Sequence, residues 1–535
     1  MLNLCKKHYL FIFFSFLIIL QSFFNKIGPW DEYHLLYYFK NKLPFPFYDS
    51  NFIYYDAYLL GRFSPITGQE FNIPILLGLD INYSFLFVSI IILLTIFVYF
   101  HLLDHFYNYY DKRIFILFLI FILSSPSFYI LSTRLLYAED TLAFLIIFFL
   151  FIFLKCVNSK NSNNKFFWNI LLILTSAITL LYKENSFIII LVFVISYFFY
   201  DFKKLIEHKF ITAYILLCSI IYLSILIYIN FAYKNNDLAY VQNLNWNFLA
   251  NSLLTLIRYS IFNDPILFFI LIPSGFILLK RSRNTFFKSI FISGVVNILF
   301  FISLGLYSPY YLFLCYFLLF PLFYEGLLNF LKFSNLKKKL VFFFITCIVF
   351  LSFVNSIFYY FESRVLSLTF NSTVKYLTNN IKNKEKVTKI FVCNDLNVGN
   401  LAQVYILGEH IKYNDIDTDQ FEFYPLINEA RNVLNSKLSP FDRNEYHYNN
   451  SIFRDEFKKS SPQKGDLLIN IYDYSSNGIN SCSRLKDKQY AEVFSSILIF
   501  PNTLISNLIK IFMYKKEFNK DYFIKKIGYL IFEIK

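Results

Sequence analysis

The sequence predicts an all-α polytopic membrane protein with about 11 transmembrane helices, followed by a small extracytoplasmic α/β domain at the C-terminal end. Hydrophobic residues make up 57% of the 535 residues and charged residues only 16%, whereas about a quarter of a soluble domain is charged. Apolar runs of about 20 residues, long enough to cross a bilayer, recur through the first part of the chain. A transmembrane β-barrel would instead show short segments of alternating hydrophobicity.

The first span and the loop after it set the orientation. Two lysines precede the first apolar segment, residues 9–24. No small-residue cleavage site follows, so we expect an uncleaved helix whose N-terminus is cytoplasmic. Residues 25–80 then form a long extracytoplasmic loop. Its segments 33–39 and 54–60 are aromatic and amphipathic, which is typical of helices lying in the membrane interface.

Ten further spans complete the predicted transmembrane domain, residues 1–361. Their approximate limits are 81–100, 114–131, 141–154, 168–182, 186–200, 211–232, 263–279, 289–305, 310–324 and 340–361. The loops assigned to the cytoplasm carry most of the lysines and arginines. The short external loops carry few, namely Arg134, Lys183, Lys234 and Arg258. This asymmetry supports both the number of spans and their polarity.

Residues 362–535 are predicted to form the extracytoplasmic domain, because the composition turns polar after residue 361. Strands are expected at 389–394 and 465–472, with a helix at 396–407. The apolar segment 493–512 could be a twelfth span, a segment on the membrane surface or part of this domain. Proline and asparagine interrupt it, which favours the last two.

Charge and cysteine content exclude some classes of protein. The net charge of +14 is explained by basic loops at the membrane, and no basic patch is interleaved with aromatic residues, so no nucleic-acid partner is expected. The seven cysteines form no CxxC or Cys/His cluster, which argues against a structural zinc site. If the C-terminal domain faces an oxidising compartment, Cys393 and Cys482 could pair.

Four groups of polar residues fall at the extracytoplasmic ends of spans and form the candidate site. They are Asp31-Glu32 with His34, Arg62, Arg134 with Glu139-Asp140, and Lys183-Glu184. A charge near hydrocarbon costs roughly 2.5–3.5 kcal/mol, so it is usually retained for function. Carboxylates can act as general bases for an acceptor hydroxyl or amine. Lysine and arginine can hold a phosphate and stabilise it as it leaves.

Each group also has a purely structural interpretation. Polar residues at span ends commonly anchor a helix in the interface, which explains Arg62 as well as a function does. The helix dipole favours acids at a helix N-terminus, such as Glu139-Asp140. An ion pair within Lys183-Glu184 would permit a tight turn, and His34 beside aromatic residues is more often structural. The structural interpretation is weakest for Asp31, because paired acids at an external boundary serve no orientation role.

An acidic pair directly after the first span, opening a long external loop, resembles the GT-C superfamily of multi-span glycosyltransferases. These include protein mannosyltransferase-like enzymes and the aminoarabinose transferase family. The superfamily's acidic pair maps onto Asp31 and Glu32, and its second acidic site maps onto Glu139 or Asp140. The Lys183-Glu184 turn is similar too. Many bacterial relatives carry an Arg-Tyr and prolines in a late span. Here Tyr307-Ser-Pro-Tyr-Tyr-Leu312 resembles that segment but lacks the arginine.

The resemblance implies transfer of a sugar from a polyprenyl-phosphate donor to a lipid, glycan or protein acceptor outside the cytoplasm, with inversion at the sugar carbon. Asp31 would be the base or would orient the acceptor, and Glu32 with Glu139 or Asp140 would position the acceptor or a metal. The residues implied in substrate and phosphate binding are Arg62, Arg134, Lys183, Glu184 and His34. Some members use a divalent cation such as Mg²⁺ or Mn²⁺ and others do not, and no ligand set in this sequence decides between them.

Three other functions compete with this one. A flippase or other transporter of lipid-linked glycans is expected to show internal repeats and charges in the middle of its spans, and neither is evident. An O-antigen polymerase or ligase is expected to carry its large external loop late in the chain, whereas here the largest loop between spans comes first. A membrane scaffold with an external binding domain is the third alternative.

Overall fold

Helices make up most of the described chain, and its strands gather in one sheet near the C-terminal end. In this computed structural model the described residues are 2–29, 33–45, 65–107, 112–135, 138–159, 162–201, 209–232, 250–251, 253–254, 264–303, 308–330, 335–384, 386–393, 398–425, 461–472, 490–501 and 524–535. The α-helices are α1 Leu2–Phe24, α2 Tyr33–Asn41, α3 Asn72–Leu76, α4 Ser84–Tyr107, α5 Lys112–Leu123, α6 Pro126–Thr133, α7 Glu139–Asn158, α8 Ser162–Tyr182, α9 Ser186–Tyr200, α10 Lys209–Ala232, α11 Leu267–Leu279, α12 Thr285–Ser303, α13 Phe313–Phe330, α14 Asn335–Lys382 and α15 Val398–Tyr413.

Six segments of the described chain are long and apolar enough to cross a membrane. They are Ile81–Phe106, Glu139–Asn158, Asn163–Tyr182, Thr285–Ser303, Pro309–Phe330 and Lys339–Lys382. A bent pair, α5 with α6, makes a further span if the two helices are counted as one. Shorter apolar helices lie at Phe11–Phe24, Ser186–Tyr200, Thr212–Tyr228 and Leu267–Leu279. Every run that the sequence predicts as a span coincides with one of these helices, which confirms a multi-pass membrane protein.

The predicted span 114–131 is wrong as a single helix. The chain bends by 69° between α5 and α6. Ser125 caps the second helix by accepting a hydrogen bond from the Phe128 amide at 3.2 Å, and Pro126 begins it, where a missing amide hydrogen costs nothing. The hydroxyls of Ser352 and Ser356 on α14 donate to the Ser124 carbonyl at 2.6 and 2.8 Å. The break is therefore capped on both sides inside the protein.

Aromatic rings fill the centre of the helix bundle. Phe118 on α5 and Phe317 on α13 have ring centroids 5.1 Å apart, and Tyr99 on α4 lies 4.7 and 5.1 Å from them. On the outside, Phe343 of α14 is 69% exposed, and its neighbours Phe342 and Phe344 are exposed as well. Phenylalanines in such a position suit contact with lipid chains rather than with water.

Helix α2 of the first loop is buried against the C-terminal region, and the interfacial position expected for 33–39 stays a prediction. Leu35 and Leu36 are 0% and 2% exposed, because α2 packs against α15 of the C-terminal region. The Lys40 ammonium joins the two helices by donating to the Lys412 carbonyl at 2.7 Å. The second predicted interfacial segment, 54–60, lies outside the described residues.

Helix α14 connects the membrane to the sheet without interruption. It contains 48 residues and passes straight through residue 361, where the polar composition begins. Past that point the Asn371 amide donates to the Ile27 carbonyl at 2.6 Å. The hydroxyls of Thr373 and Ser496 are hydrogen-bonded at 2.9 Å. The lower part of α14 is thus lipid-facing, and its upper part packs on the first loop and the sheet.

The sheet has the order β2-β1-β3-β6-β4, with β5 paired to β6. Its strands are β1 Thr388–Val392, β2 Phe421–Pro425, β3 Leu467–Tyr472, β4 Tyr490–Ser495, β5 Leu498–Pro501 and β6 Ile524–Ile534. Strands β2, β1 and β3 are parallel, whereas β6 runs antiparallel to β3 and β4. This confirms the predicted strands at 389–394 and 465–472, the helix at 396–407 and a small α/β region.

Two further predictions concern the end of the chain. The segment 493–512 enters the sheet through β4 and β5, so as far as residue 501 it belongs to the α/β region. Residues 502–523 lie outside the described part.

Cys393 is disulfide-bonded, whereas Cys156, Cys218, Cys315 and Cys347 are free. Cys482 lies outside the described residues, so its pairing stays a prediction.

Candidate functional site

The core of the candidate site is a buried ion pair between two loops. Glu139 begins α7, and Lys183 lies in the short turn between α8 and α9. The Lys183 ammonium donates to Glu139 Oε1, and the two side chains are only 12% and 5% exposed. The structure thus brings together two residues predicted separately. Lys183 pairs across the bundle with Glu139, which provides a partner other than the adjacent Glu184.

Lys183 also contacts the segment that resembles the late-span motif of the GT-C superfamily. Its ammonium lies 5.5 Å from the centroid of the Tyr311 ring. Tyr311 belongs to the short 3₁₀ helix Pro309–Leu312 that leads into α13. A cation over an aromatic face is held by the ring quadrupole. The lysine is therefore positioned by a carboxylate on one side and a ring on another.

Glu70 of the first loop is a third member of the site. It lies in the 3₁₀ turn Gln69–Phe71, and its Oε1 accepts hydrogen bonds from the Tyr182 hydroxyl at 2.6 Å and the Thr141 hydroxyl at 3.3 Å. Burial raises the pKa of Glu70 above its usual 4.5, although the hydrogen bond from Tyr182 acts in the opposite direction. The loop is fastened beside it, because Thr67 donates to the Tyr182 carbonyl.

Asp140 completes a group of three carboxylates. It is 2% exposed, and its Oδ1 atom is buried without a hydrogen-bond partner. It lies close enough to Glu70 and Glu139 to interact electrostatically with both. An unpaired carboxylate oxygen inside a protein is costly. This atom is therefore free to accept a further hydrogen bond.

A second polar layer lies behind Lys183. The amide of Asn185 donates to Asn297 Oδ1 at 3.2 Å, and the amide of Asn297 lies 3.6 Å from the Cys315 sulfur. Asp264, just before α11, is fully buried and accepts a hydrogen bond from the Tyr316 hydroxyl. Intramembrane polar groups of this kind commonly mark functional sites.

The other predicted residues are placed as follows. Arg134 is half-buried and directly follows α6, and Glu184 is half-buried in the turn beside Lys183. Asp31, Glu32 and Arg62 lie outside the described residues. His34 lies on α2, but its side chain is not among those described. The structure therefore joins Glu139, Asp140 and Lys183, and leaves the acidic pair of the first loop as a prediction.

The sequence did carry a signal for Glu70 that the motif search missed. Between Pro65 and Leu79 it is the sole charged residue. It follows Gly68, whose φ of +83° turns the chain and where a Cβ would lie 2.7 Å from the Phe45 ring. Its two hydrogen-bond donors, Tyr182 and Thr141, carried no such signal.

No metal site is evident in the described part of the chain, where no three histidine, cysteine, aspartate or glutamate side chains are grouped to hold an ion. Asp140 interacts electrostatically with Glu70 and Glu139.

No protein-family model and no curated protein matches the chain. It is similar to the crystal structure of ArnT from Cupriavidus metallidurans in the apo state, with 10% sequence identity and a TM-score of 0.48. It is also similar to that of ArnT from the same organism bound to undecaprenyl phosphate, with 12% identity and a TM-score of 0.48. In both cases 92% of this chain and 96% of the other chain are covered.

Proposed function

We propose that this protein is a membrane glycosyltransferase that transfers a sugar from a polyprenyl-phosphate donor to a lipid, glycan or protein acceptor. The observation that carries the proposal is the buried ion pair of Lys183 with Glu139, together with Asp140, which interacts electrostatically with Glu139 and Glu70. Glu70 brings the first loop into this group. Three carboxylates and one lysine in a buried group cost folding energy, which is understandable if they act on a substrate.

The reaction would take place outside the cytoplasm. Lysines and arginines concentrate in the loops at the opposite end of the bundle, as cytoplasmic loops do. The disulfide at Cys393 supports the same orientation, since disulfides persist in oxidising compartments. Both features support a site on the extracytoplasmic face, where the proposed reaction would use polyprenyl-linked sugars.

Lys183 would hold the donor phosphate. An ammonium has three donor hydrogens, and Glu139 uses one of them. The others can reach phosphate oxygens and stabilise the negative charge that grows on them as the sugar leaves. Glu139 and the Tyr311 ring would keep the lysine in place, which makes them positioning residues.

The transfer would be a single displacement with inversion. The acceptor oxygen or nitrogen attacks the anomeric carbon from the face opposite the phosphate, and a carboxylate takes its proton. The bond between the anomeric carbon and the phosphate oxygen breaks, and its electron pair leaves with the polyprenyl phosphate. Asp31 is the proposed base, and Asp140 and Glu70 would orient the acceptor through hydrogen bonds to its donors.

Transfer from a labelled polyprenyl-phosphate sugar to a crude acceptor fraction tests this proposal. We expect Asp31→Asn to abolish transfer and Lys183→Met to lower it by about 100-fold or more, as the loss of a transition-state donor does. Lys288→Met is the matched control, since Lys288 also lies over a ring, that of Tyr200 at 5.1 Å, but at the opposite end of the bundle.

Two results would count against the proposal. Transfer that survives Asp31→Asn would remove that residue as the base. Absence of transfer with every donor, from a folded protein, would favour a transporter or a scaffold instead.

A further inference from the structure

A cavity of about 250 Å³ lies between α2 of the first loop and α15 of the α/β region. Polar and aromatic residues from both helices line it, chiefly Tyr37, Lys40, Asn41, Glu409, Lys412 and Tyr413. It is separate from the carboxylates around Lys183, since none of those residues lines it. Its size suits a single sugar ring.

The rings of Tyr37 and Tyr413 line the cavity and present apolar faces to it. Tyr37 packs edge to face against Tyr38 with ring centroids 5.5 Å apart. Burial raises the pKa of Tyr413 to about 12, and the charges of Asp80 and Asp415 add to the effect. The Tyr413 hydroxyl therefore stays protonated and can act as both donor and acceptor.

Both lysines of the cavity are paired with carboxylates, and Asp417 adds a further carboxylate to the lining. Lys412 pairs with Glu409 at 2.9 Å, and both side chains are largely buried, at 13% and 1% exposed. Lys40 pairs with Asp415 at 3.1 Å. Because each lysine has its own carboxylate, the cavity does not call for an anion. The pairs instead present donors and acceptors at fixed positions.

We propose that this cavity binds an uncharged sugar residue of the acceptor glycan, an inference that rests on the proposed function for the role of acceptor. Aromatic rings pack well against the apolar C–H faces of a sugar. Fixed donors and acceptors match its ring of hydroxyls, which need both. Mixed aromatic and polar linings of this kind are common in small-molecule sites.

The position of the cavity gives the bound sugar a role. Helix α2 begins at Tyr33, directly after the Asp31-Glu32 pair. A sugar held between α2 and α15 would contact both the helix that follows the Asp31-Glu32 pair in the sequence and the α/β region. The cavity would thus retain a glycan acceptor on the first loop and favour acceptors that are already glycosylated.

Binding of free sugars to the full-length protein in detergent tests this directly. The probes are the methyl glycosides of glucose, galactose and N-acetylglucosamine, with glucuronic acid and inorganic phosphate as anionic comparators. Saturation-transfer NMR is expected to detect at least one neutral glycoside. Tyr413→Leu should weaken its binding roughly tenfold, the loss expected for an aromatic contact. Tyr424→Leu, on strand β2 away from the cavity, should bind as the wild type does.

Other results would overturn the inference. Preference for phosphate or glucuronic acid would make the cavity an anion site, and wild-type affinity in Tyr413→Leu would place the sugar elsewhere. If Tyr413→Leu does not fold, Lys40→Gln decides, since its ion pair is exposed and its loss should leave the fold intact. Binding of no glycoside, together with active transfer, would end this inference and leave the proposed function standing. Glycoside binding without transfer from any donor would leave the sugar-binding cavity standing and count against the proposed function.

Discussion

Glu139 and Lys183 are buried partners of opposite charge, so removal of either one leaves a charge stranded inside the protein. We expect Glu139→Gln to destabilise the fold by about 3–5 kcal/mol. Adding Lys183→Met to the same chain should recover most of that loss, because the stranded charge is removed. Thermal unfolding in detergent measures both.

An exposed ion pair supplies the control for this double substitution. Asp415, whose side chain is 81% exposed, pairs with Lys40, and Asp415→Asn should cost only about 0–1 kcal/mol. A similar small loss for Glu139→Gln would show that the buried pair does not stabilise the fold. Equal losses in the single and double variants would show that the two charges are not coupled.

The raised pKa of Glu70 makes stability depend on pH. In the folded state Glu70 keeps its proton to a higher pH than in the unfolded chain. The contribution of Glu70 to stability is therefore fully present below its usual pKa of 4.5. This contribution is lost as the pH rises through the pKa of Glu70 in the folded state. Glu70→Gln removes this loss. The melting temperature of the wild type minus that of the variant should therefore fall as the pH rises above the usual pKa of 4.5.

A constant difference between wild type and Glu70→Gln across the pH range would contradict the buried, proton-retaining Glu70.

The residues of the site differ in how far sequence could predict them. Glu139, Asp140 and Lys183 are charged residues beside long apolar runs. The free-energy cost of a charge next to hydrocarbon can be recognised from the sequence alone. Their mutual contact is not, because Lys183 reaches Glu139 across 44 positions of chain. Glu70 was missed because its burial depends on the first loop folding back onto Tyr182, and a loop has no periodic pattern that would predict such contacts.

Among the helices, the break between α5 and α6 depends on its neighbour α14. The double substitution Ser352→Ala with Ser356→Ala leaves the Ser124 carbonyl without its two donors. We expect a loss of about 1–3 kcal/mol, the cost of an unsatisfied buried polar group. Thermal unfolding in detergent measures it. Ser372→Ala is the control, because Ser372 is exposed on the same helix and bonds only the Leu368 carbonyl within it.

A loss no larger than that of the control would mean that the carbonyl finds another partner. A change in the bend itself would be a different outcome, and a larger loss than expected would accompany it. The serines would then set the geometry of the break as well as its stability.

Hydropathy predicted the helices well because lipid demands continuous apolar runs. It did not predict what the amphipathic helix α2 packs against. Leu35 and Leu36 show the pattern of a helix on a membrane surface, but the surface they meet is that of α15. Local sequence cannot predict a partner 372 residues later in the chain, as Lys412 is for Lys40. The same is true of the serines that cap the broken span.

For the whole molecule, orientation is the property on which the proposed site depends. We expect Lys386→Cys, at an exposed position before β1, to react with a membrane-impermeant maleimide in intact cells. Arg281→Cys, exposed between α11 and α12, should react only after permeabilisation. The wild-type chain controls for labelling of native cysteines. The reverse pattern would put the carboxylates and Lys183 in the cytoplasm and remove the basis of the proposed reaction.

Helix α14 has a consequence for the membrane in which the protein works. Its 48 residues span roughly 72 Å at 1.5 Å each, whereas the hydrocarbon core of a bilayer is about 30 Å thick. More than half of this helix therefore lies outside the hydrocarbon. The sheet is connected to the membrane by a continuous helix and not by a flexible linker. The distance of the sheet from the membrane surface therefore depends on the thickness of the bilayer. A thicker membrane would draw the α/β region, and any glycan held beneath it, closer to the lipid surface.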